Sequence, residues 1–577
     1  MIDSASSRRV ILHVAWAAGL ASLLAAPHFL AAHRRGAASI PLAMSNTTLD
    51  EYYYLDRVYS CFRGRWANGV SFIFERANDP YLQPNLTESM AAAALRPFRG
   101  QPAVLAAVGA LVFLFLAGAA LLWAFKQWSP TLAQAGGGAL LTCLLLGPWL
   151  HRTIQPQANY FVYALAAGLL YSIWAAETPG AKRAAALGVL LGAAPYLWFI
   201  YWFYLTTWTG LLLAFALLRK EKKRAAALAL AFGVAAVLWL PYIAHNLRLH
   251  QLPYYADLLY SNGFLHDRFP SIMRSIKLFL VAAVLLPLAA REQRAFFAMA
   301  LLAGLLLFNQ QAVSGLLPPE MDFHLWRVLA LPLAACAASG LSRLRFLEGR
   351  WALVQVPLAA LLLFQQKQAY VQGNARHDAR LDAYTGAFAW LDSNARPSDA
   401  VAAEITPSLI IPFVTRQDVL LYGWQYIVVP QPERWQRYHQ FLELYQLPER
   451  DARAYLVSHH YAAFGLGADM AIGRERVKRA ILGLVRHPGR ASLRAVLSIN
   501  PSDQLTHYER MLERLPADFH APAVPFRADY LVYGPVEREF FPKFDARKDR
   551  RLAPVFDDGK VQIYRAASDP RAAAARP

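Results

Sequence analysis

The chain has 577 residues, 56% of them hydrophobic and 13% aromatic, with a mean hydropathy of +0.25. Its 58 Lys and Arg against 39 Asp and Glu leave a net charge of +19, and its three cysteines show no CxxC spacing. These values exclude an all-soluble protein, a disulfide framework and a zinc site, and a nucleic-acid groove is excluded because the aromatic residues sit in apolar runs, away from the basic clusters.

Arg8-Arg9 precede an apolar run from Val10 to about Ala32. That run is too long for a signal-peptide core and long enough to cross roughly 30 Å of hydrocarbon, which puts the N-terminus in the cytoplasm. Further spans are expected at 103–125, 132–150, 160–176, 184–218, 225–244, 277–290, 295–309, 326–341 and 351–369. The run Ala184 to Leu218 is too long for one helix and short for two, and it carries Pro195 and an aromatic block at its middle. Taken as two short spans, it gives about eleven spans in all. Lys126, Lys182-Arg183, the 219–224 cluster, Arg291, Arg294 and the 343–350 cluster then fall on the N-terminal side. Taken as one span, it moves every later loop to the other side. The charge bias selects the pair, which sends outward the 33–102 loop, His151 to Asn159, His245 to Ile276, Asn309 to Leu325, and everything after the last span. The fold class expected is therefore a polytopic α-helical membrane protein, over 1–370, with a C-terminal soluble α/β domain, over 371–577, outside the cytoplasm.

The 33–102 loop opens on Thr47-Thr48-Leu49-Asp50-Glu51-Tyr52-Tyr53-Tyr54. Local structure alone accounts for the acids: Thr48 to Glu51 matches a capping box, and carboxylates in a first turn offset the helix dipole. The helix it starts mixes Tyr52, Tyr53, Tyr54, Tyr59, Phe62 and Trp66 with Arg57, Arg63 and Arg65, a pattern suited to a helix lying in the membrane interface. An acidic pair held at that depth can take the proton from a hydroxyl attacking a lipid-linked sugar, so Asp50 and Glu51 are the candidate catalytic residues. Asp56 and Asp79 share the loop and are candidates for orienting an acceptor, although Asp79-Pro80 also reads as a turn.

This layout resembles the GT-C superfamily of integral membrane glycosyltransferases, among them protein O-mannosyltransferases and the lipid A aminoarabinose transferase, over roughly residues 1–370. Those enzymes place an Asp-Glu or similar pair in the first outer loop. The resemblance implies an inverting transfer from a polyprenyl-phosphate-linked sugar, with Asp50 as base and Glu51 supporting it or binding the acceptor. Such enzymes often carry a second acidic motif in the next outer loop, whereas here the loop from Pro148 to Tyr160 has no acid. No cofactor is indicated, and a divalent cation would need oxygen ligands from elsewhere.

In that second loop His151 and Arg152 are candidates for the donor phosphate, Arg152 through forked hydrogen bonds, with a snorkelling span end as the alternative. The 245–276 loop, with Tyr255, Asp257 and Asp267 among its polar residues, is a candidate lid. In the fourth outer segment His324 and Arg327 lie three apart and are candidates for stabilising a departing phosphate, with an interfacial anchor as the alternative; Asp322 stands beside them as a possible acceptor or lid residue. The 371–577 part shows helical periodicity at 383–394 and 434–445, apolar strand-like runs at 400–405 and 530–533, a hairpin around Asp558-Gly559 and an Ala/Arg-rich disordered tail from Arg571. It carries no nucleophile elbow, P-loop or metal-spaced cluster and reads as a lid or acceptor-binding domain. Two other classes compete with a transferase. A lipid-linked substrate transporter or flippase should carry ionisable groups near the membrane midplane, and the spans are nearly free of acids. An envelope-assembly binding protein would need only one anchor. The expected setting is the bacterial inner membrane and the expected partners are a polyprenyl-phosphate-linked sugar, membrane lipids and a glycan, lipid or protein acceptor; sugar and acceptor stay open.

Overall fold

The computed structural model describes residues 4–566 except 45–47, 66–71, 77–78, 81–83, 130, 153, 156, 319–320, 345–346, 348–349 and 423–428 and, between 461 and 514, all but 463, 470–471, 473–475, 477–478, 481, 508 and 512. The side chains of 4–9, 48–50, 148, 157 and 322–323 also lie outside this description, as does the expected tail from Arg571. Each stretch expected to span is a helix: α1 (Ser4–Arg35), then, after α2 (Thr48–Phe62) and α3 (Leu86–Leu95) of the first loop, α4 (Pro102–Trp128), α5 (Leu132–Leu146), α6 (Gln157–Ala175), α7 (Ala181–Leu197), α8 (Phe199–Leu218) and α9 (Lys222–His250). The short α10 (Tyr255–Ser261) precedes α11 (Ile272–Leu285) and α12 (Arg294–Phe308), and α13 (Gln310–Ser314) precedes α14 (Met321–Leu341) and α15 (Ala352–Arg376). Six of the described helices are long and apolar enough to cross a membrane: those at Val10–Arg35, Pro102–Trp128, Ala158–Ala175, Phe199–Leu218, Lys222–His250 and His324–Leu341.

The ambiguous run Ala184–Leu218 is two helices. Trp198 takes an extended conformation (φ −166°, ψ 125°) and ends α7, three residues after Pro195. Packing shows that the chain reverses there. Along α7, Gly188, Gly192 and Tyr196 meet Val234, Leu238 and Tyr242 of α9 in the same order, so α7 and α9 run parallel. Along α8 the order inverts, with Trp202 beside Trp239 and Tyr242 and Gly210 facing Phe232. The glycines are needed for this: a Cβ on Gly188 or Gly192 would stand 2.6 or 2.5 Å from Val234 or Leu238, and small residues four apart let membrane helices approach this closely.

The reversal sorts the loops onto two ends of the bundle. Gln293 donates to the Trp128 carbonyl, Arg343 to the Ala289 carbonyl, and Gln355 to the Ala133 carbonyl, so the connections after α4, α11 and α14 lie together at the basic end. At the opposite end Arg34 meets Tyr370, and Gly373 packs on the backbone of Ala43. This is the arrangement the basic residues require if a single side of the membrane is to hold them.

Beyond α15, a five-stranded sheet has the order β4 (Asp418–Val419), β3 (Ala400–Ala402), β5 (Tyr530–Tyr533), β7 (Gln562–Ala566), β6 (Leu552–Asp557), numbered after the small pair β1 (Leu265–His266) and β2 (Leu316–Leu317). β3 is parallel to β4 and β5, and β7 is antiparallel to β5 and β6. The hairpin β6–β7 turns at Gly559, whose φ of +80° suits the residue without a Cβ. Around the sheet stand α16 (Thr385–Asn394), the single turns α17 (Ile405–Ser408) and α18 (Ile411–Val414), α19 (Gln431–Leu444) and α20 (Glu449–Ser458). Glu404 and Glu537 follow the ends of β3 and β5, both fully buried. Glu537 accepts from the Tyr384 hydroxyl, from Glu404 N at 3.0 Å and from Gly534 N at 2.9 Å, and Glu404 accepts from Thr406 N at 2.7 Å and meets His459 Nε2 at 2.8 Å.

The first loop departs from expectation. α2 does not lie in a membrane interface: Tyr52, Tyr53, Tyr54, Leu55, Val58 and Tyr59 are all buried in one apolar cluster with Phe413, Val419 and Tyr422 of the C-terminal part. Its arginines take protein partners instead of lipid headgroups. Arg63 donates to the Pro412 and Thr415 carbonyls, Arg65 pairs with Asp418 at 2.9 Å, and Arg57 pairs with Glu88 at 3.2 Å. Aromatic residues mixed with arginine suit any layer between an apolar and a polar phase, and here that layer is the contact between the first loop and the C-terminal part.

Candidate active site

A cavity of about 650 Å³ opens at the end of the bundle opposite the basic loops, where the α7–α8 reversal, the C-terminal half of α9, the loop before α6 and the turn before α14 converge. Its walls are Trp149, Trp198, Phe199, Trp202, Phe203, Tyr242, Ile243 and Leu247. Ile243 and Leu247 also have exposed surface on the outside of α9, so one wall is a single membrane-facing helix. The segment 255–264 also lines the cavity, through Tyr255, Leu259, Asn262 and Phe264. Among the described lining residues none is acidic, and those that can carry positive charge are Arg152, His250 and His324. Volume, apolar walls and a few convergent polar groups are the marks of a small-molecule site, here with a preference for an anion.

Arg152 is buried with its guanidinium carbon 5.9 Å from the Tyr54 ring centroid. His324 stands edge-on to Trp198 at 4.9 Å between ring centroids. α14 has begun by Met321, so His324 and Arg327 do share a face; they hydrogen-bond each other, and Arg327 lies 4.7 Å over the Trp149 ring, just behind the cavity wall. The structure thus brings Arg152, His324, Arg327 and Tyr255 together. Asp50 is in the first turn of α2, one turn ahead of Tyr54, a spacing that puts the two positions on one helical face; its side chain lies outside the described residues, as does that of Asp322. Glu51 is buried in the same turn and does not line the cavity.

Several expected site residues are placed elsewhere. His151 is buried beside His28 of α1 instead of lining the cavity, and burial pulls its ring down to about 3, so it stays neutral and pairs no phosphate by charge. Asp56 is fully buried at the domain junction, where it accepts from the Tyr422 hydroxyl; burial holds its carboxyl well above the usual range, and the Tyr422 bond opposes the rise. Asp79 accepts from Arg76 at 3.2 Å and Tyr254 at 3.0 Å. Asp257 accepts from the backbone of Gln431 at 3.4 Å, and Asp267 is clamped by Arg474 at 2.5 Å and Lys478 at 3.0 Å. Asp79, Asp257 and Asp267 hold α10 and its neighbours in place, Asp56 holds α2 to the C-terminal part, and none of the four lines the cavity.

One acid was missed. Glu88 in α3 is fully buried, paired with Arg57, and accepts from Gln155 Nε2 at 3.1 Å, and Gln155 lines the cavity three residues after Arg152. Burial raises the Glu88 carboxyl above the usual carboxylate range, and the Arg57 guanidinium opposes the rise. The second outer loop has no acid of its own, and the first loop supplies one to it. A lone carboxylate in the Ala-rich stretch Leu86–Leu95 was the available signal. Ile154, between Arg152 and Gln155, has φ +70°, an outlier for a β-branched residue.

No family model matches the chain, and no curated protein matches it. Among solved structures it is similar to the crystal structure of ArnT from Cupriavidus metallidurans bound to undecaprenyl phosphate, at 14% identity and a TM-score of 0.41, over 97% of this chain and 98% of that one. A likeness at that score decides neither fold nor activity, and both rest on the geometry of the cavity.

Proposed function

We propose that the protein is an inverting glycosyltransferase that moves a sugar from a polyprenyl-phosphate carrier to an acceptor hydroxyl at the outer face of a bacterial inner membrane. The observation that carries this reading is the cavity itself: an apolar, aromatic chamber walled by membrane-facing α9, ending at Arg152 and His324 and free of acids among its described lining residues. A polyprenyl tail suits the apolar wall, and its phosphate suits the guanidinium at the outer end. The acceptor oxygen attacks the anomeric carbon as the bond from that carbon to the phosphate oxygen breaks. The Asp50 carboxylate takes the hydroxyl proton. Arg152, with Arg327 behind Trp149, offsets the charge that grows on the leaving phosphate. Donor, acceptor and metal dependence are set by the shape and contents of this chamber.

The test is transfer by the purified protein in lipid nanodiscs supplied with polyprenyl-phosphate-linked sugars, together with mass spectrometry of lipid-linked sugars in cells with and without the gene. Transfer, with accumulation of one lipid-linked sugar in the deleted strain, is the expected result. Arg152→Lys should keep the charge and lose the fork, lowering kcat. No transfer from any such lipid, combined with unchanged lipid-linked sugars on deletion, would remove the reading.

A further inference from the structure

We propose that Gln155 is a specificity-determining residue: its side-chain carbonyl oxygen, turned into the cavity by Glu88, accepts a hydrogen bond from a hydroxyl or amino group of the bound sugar. The proposal rests on the transferase reading above. The Arg57 guanidinium at 3.2 Å favours the ionised form of Glu88, which can only accept, and Glu88 takes an N–H from Gln155 Nε2 at 3.1 Å. The amide is planar. With its nitrogen committed to Glu88, its oxygen stands on the opposite side, and Gln155 lines the cavity. Glu88 is itself immobilised by Arg57, whose guanidinium also donates to the Tyr53 hydroxyl at 2.9 Å and to the Pro84 carbonyl at 2.7 Å.

A second, independent observation concerns the backbone. Ile154, fully buried, is held at φ +70°, and its carbonyl accepts from Ala158 N at 2.7 Å at the start of α6. A β-branched residue keeps such a conformation only where its surroundings impose it, and such positions cluster at ligand clamps. The conformation sits between the two cavity-lining polar side chains of this loop. Arg152 then offers donors to an anion, whereas Gln155 offers an acceptor that an anion would be repelled by. The loop therefore orients a sugar phosphate, with its phosphate toward Arg152 and His324 and a hydroxyl or amino group toward Gln155.

Binding to the full-length protein in nanodiscs separates the two ends. The probes are undecaprenyl phosphate and polyprenyl-phosphate-linked hexoses and amino sugars. The wild-type protein should bind at least one sugar-bearing lipid more tightly than the bare phosphate. Gln155→Met, which keeps the shape and loses the acceptor, should weaken that lipid by about three- to tenfold, the worth of one hydrogen bond, and leave undecaprenyl phosphate unchanged. Glu88→Gln, which frees the amide to flip, should show the same selective loss. If Gln155→Met weakens both lipids alike, or neither, the proposal is overturned while the transferase reading stands. If the wild-type protein binds no lipid phosphate at all, the reading and the proposal fall together.

Discussion

Two regions of the molecule bury charge, and they do so to different ends. Between β3 and β5, Glu404 and Glu537 are enclosed by donors from Tyr384, Thr406, Gly534 and His459, and neither lines the 650 Å³ cavity. At the end of the bundle opposite the basic loops, Arg152, Gln155 and His324 are also buried, yet each has a face on a 650 Å³ chamber. The first arrangement is closed on itself and holds strand ends to helix starts. The second borders space that a ligand can fill. Burial of a charge is therefore a poor guide to a site, and the direction in which its remaining bonds point is a better one.

The comparison breaks most visibly if chemistry does not follow the chamber. Asp50→Asn should lower transfer by roughly 10²–10⁴-fold, the scale of a positioned acid–base group, with an unchanged elution profile and melting temperature. Turnover near the wild-type rate would show that the position serves only to start α2.

Glu537 should do the reverse, changing stability and leaving turnover alone. Burial pushes its carboxyl up to about 7 against an ordinary value near 4.5. The folded state then binds the proton more tightly than the unfolded state, so stability is greatest below the unfolded value and falls as pH rises from about 4.5 to about 7. The full shift corresponds to at most ~3 kcal/mol. Melting of the wild-type protein across that window should show the decline, and Glu537→Gln should flatten it. A pH-independent wild-type curve would refute this account of the closed cluster.

The smallest effect is expected at the junction between the two regions. Tyr422→Phe removes the donor that Asp56 accepts from and leaves a buried carboxyl short of a partner, costing about 1–3 kcal/mol by denaturant unfolding with the Michaelis constant for the lipid donor preserved. A large rise in that constant would mean that Asp56 reaches the chamber after all.

Much of this was legible beforehand, for identifiable reasons. Apolar length fixes a span within one chain segment, and the basic clusters with Pro195 sufficed to separate α7 from α8. Arg152, His324 and Arg327 stand out in the sequence because each sits at a span end, where a charged residue is costly, and the structure places Arg152 and His324 on the cavity wall. Glu88 was not found, since its meaning comes from Gln155 and Arg57, 67 and 31 residues away, and periodicity carries nothing across such gaps. The α2 misreading has the same root: Tyr422, Asp418 and Phe413, which turn an interfacial pattern into a buried one, come some 350 residues later in the chain.

That separation in sequence has a consequence for how the protein is made. Asp56 and Tyr422 are 366 residues apart, so at a synthesis rate of about 5–20 residues per second the first loop waits roughly 20 to 70 s before its covering layer emerges. Through that interval the part of α2 that packs on Phe413, Val419 and Tyr422, with Asp56, Arg63 and Arg65 beside it, lacks its native cover, whereas Arg57 already has Glu88. A ribosome that stalls before Asp418 yields a chain with helices α1 to α15 but a first loop short of its cover. A chain must be read past Tyr422 before the segment that carries Asp50 gains this part of its cover.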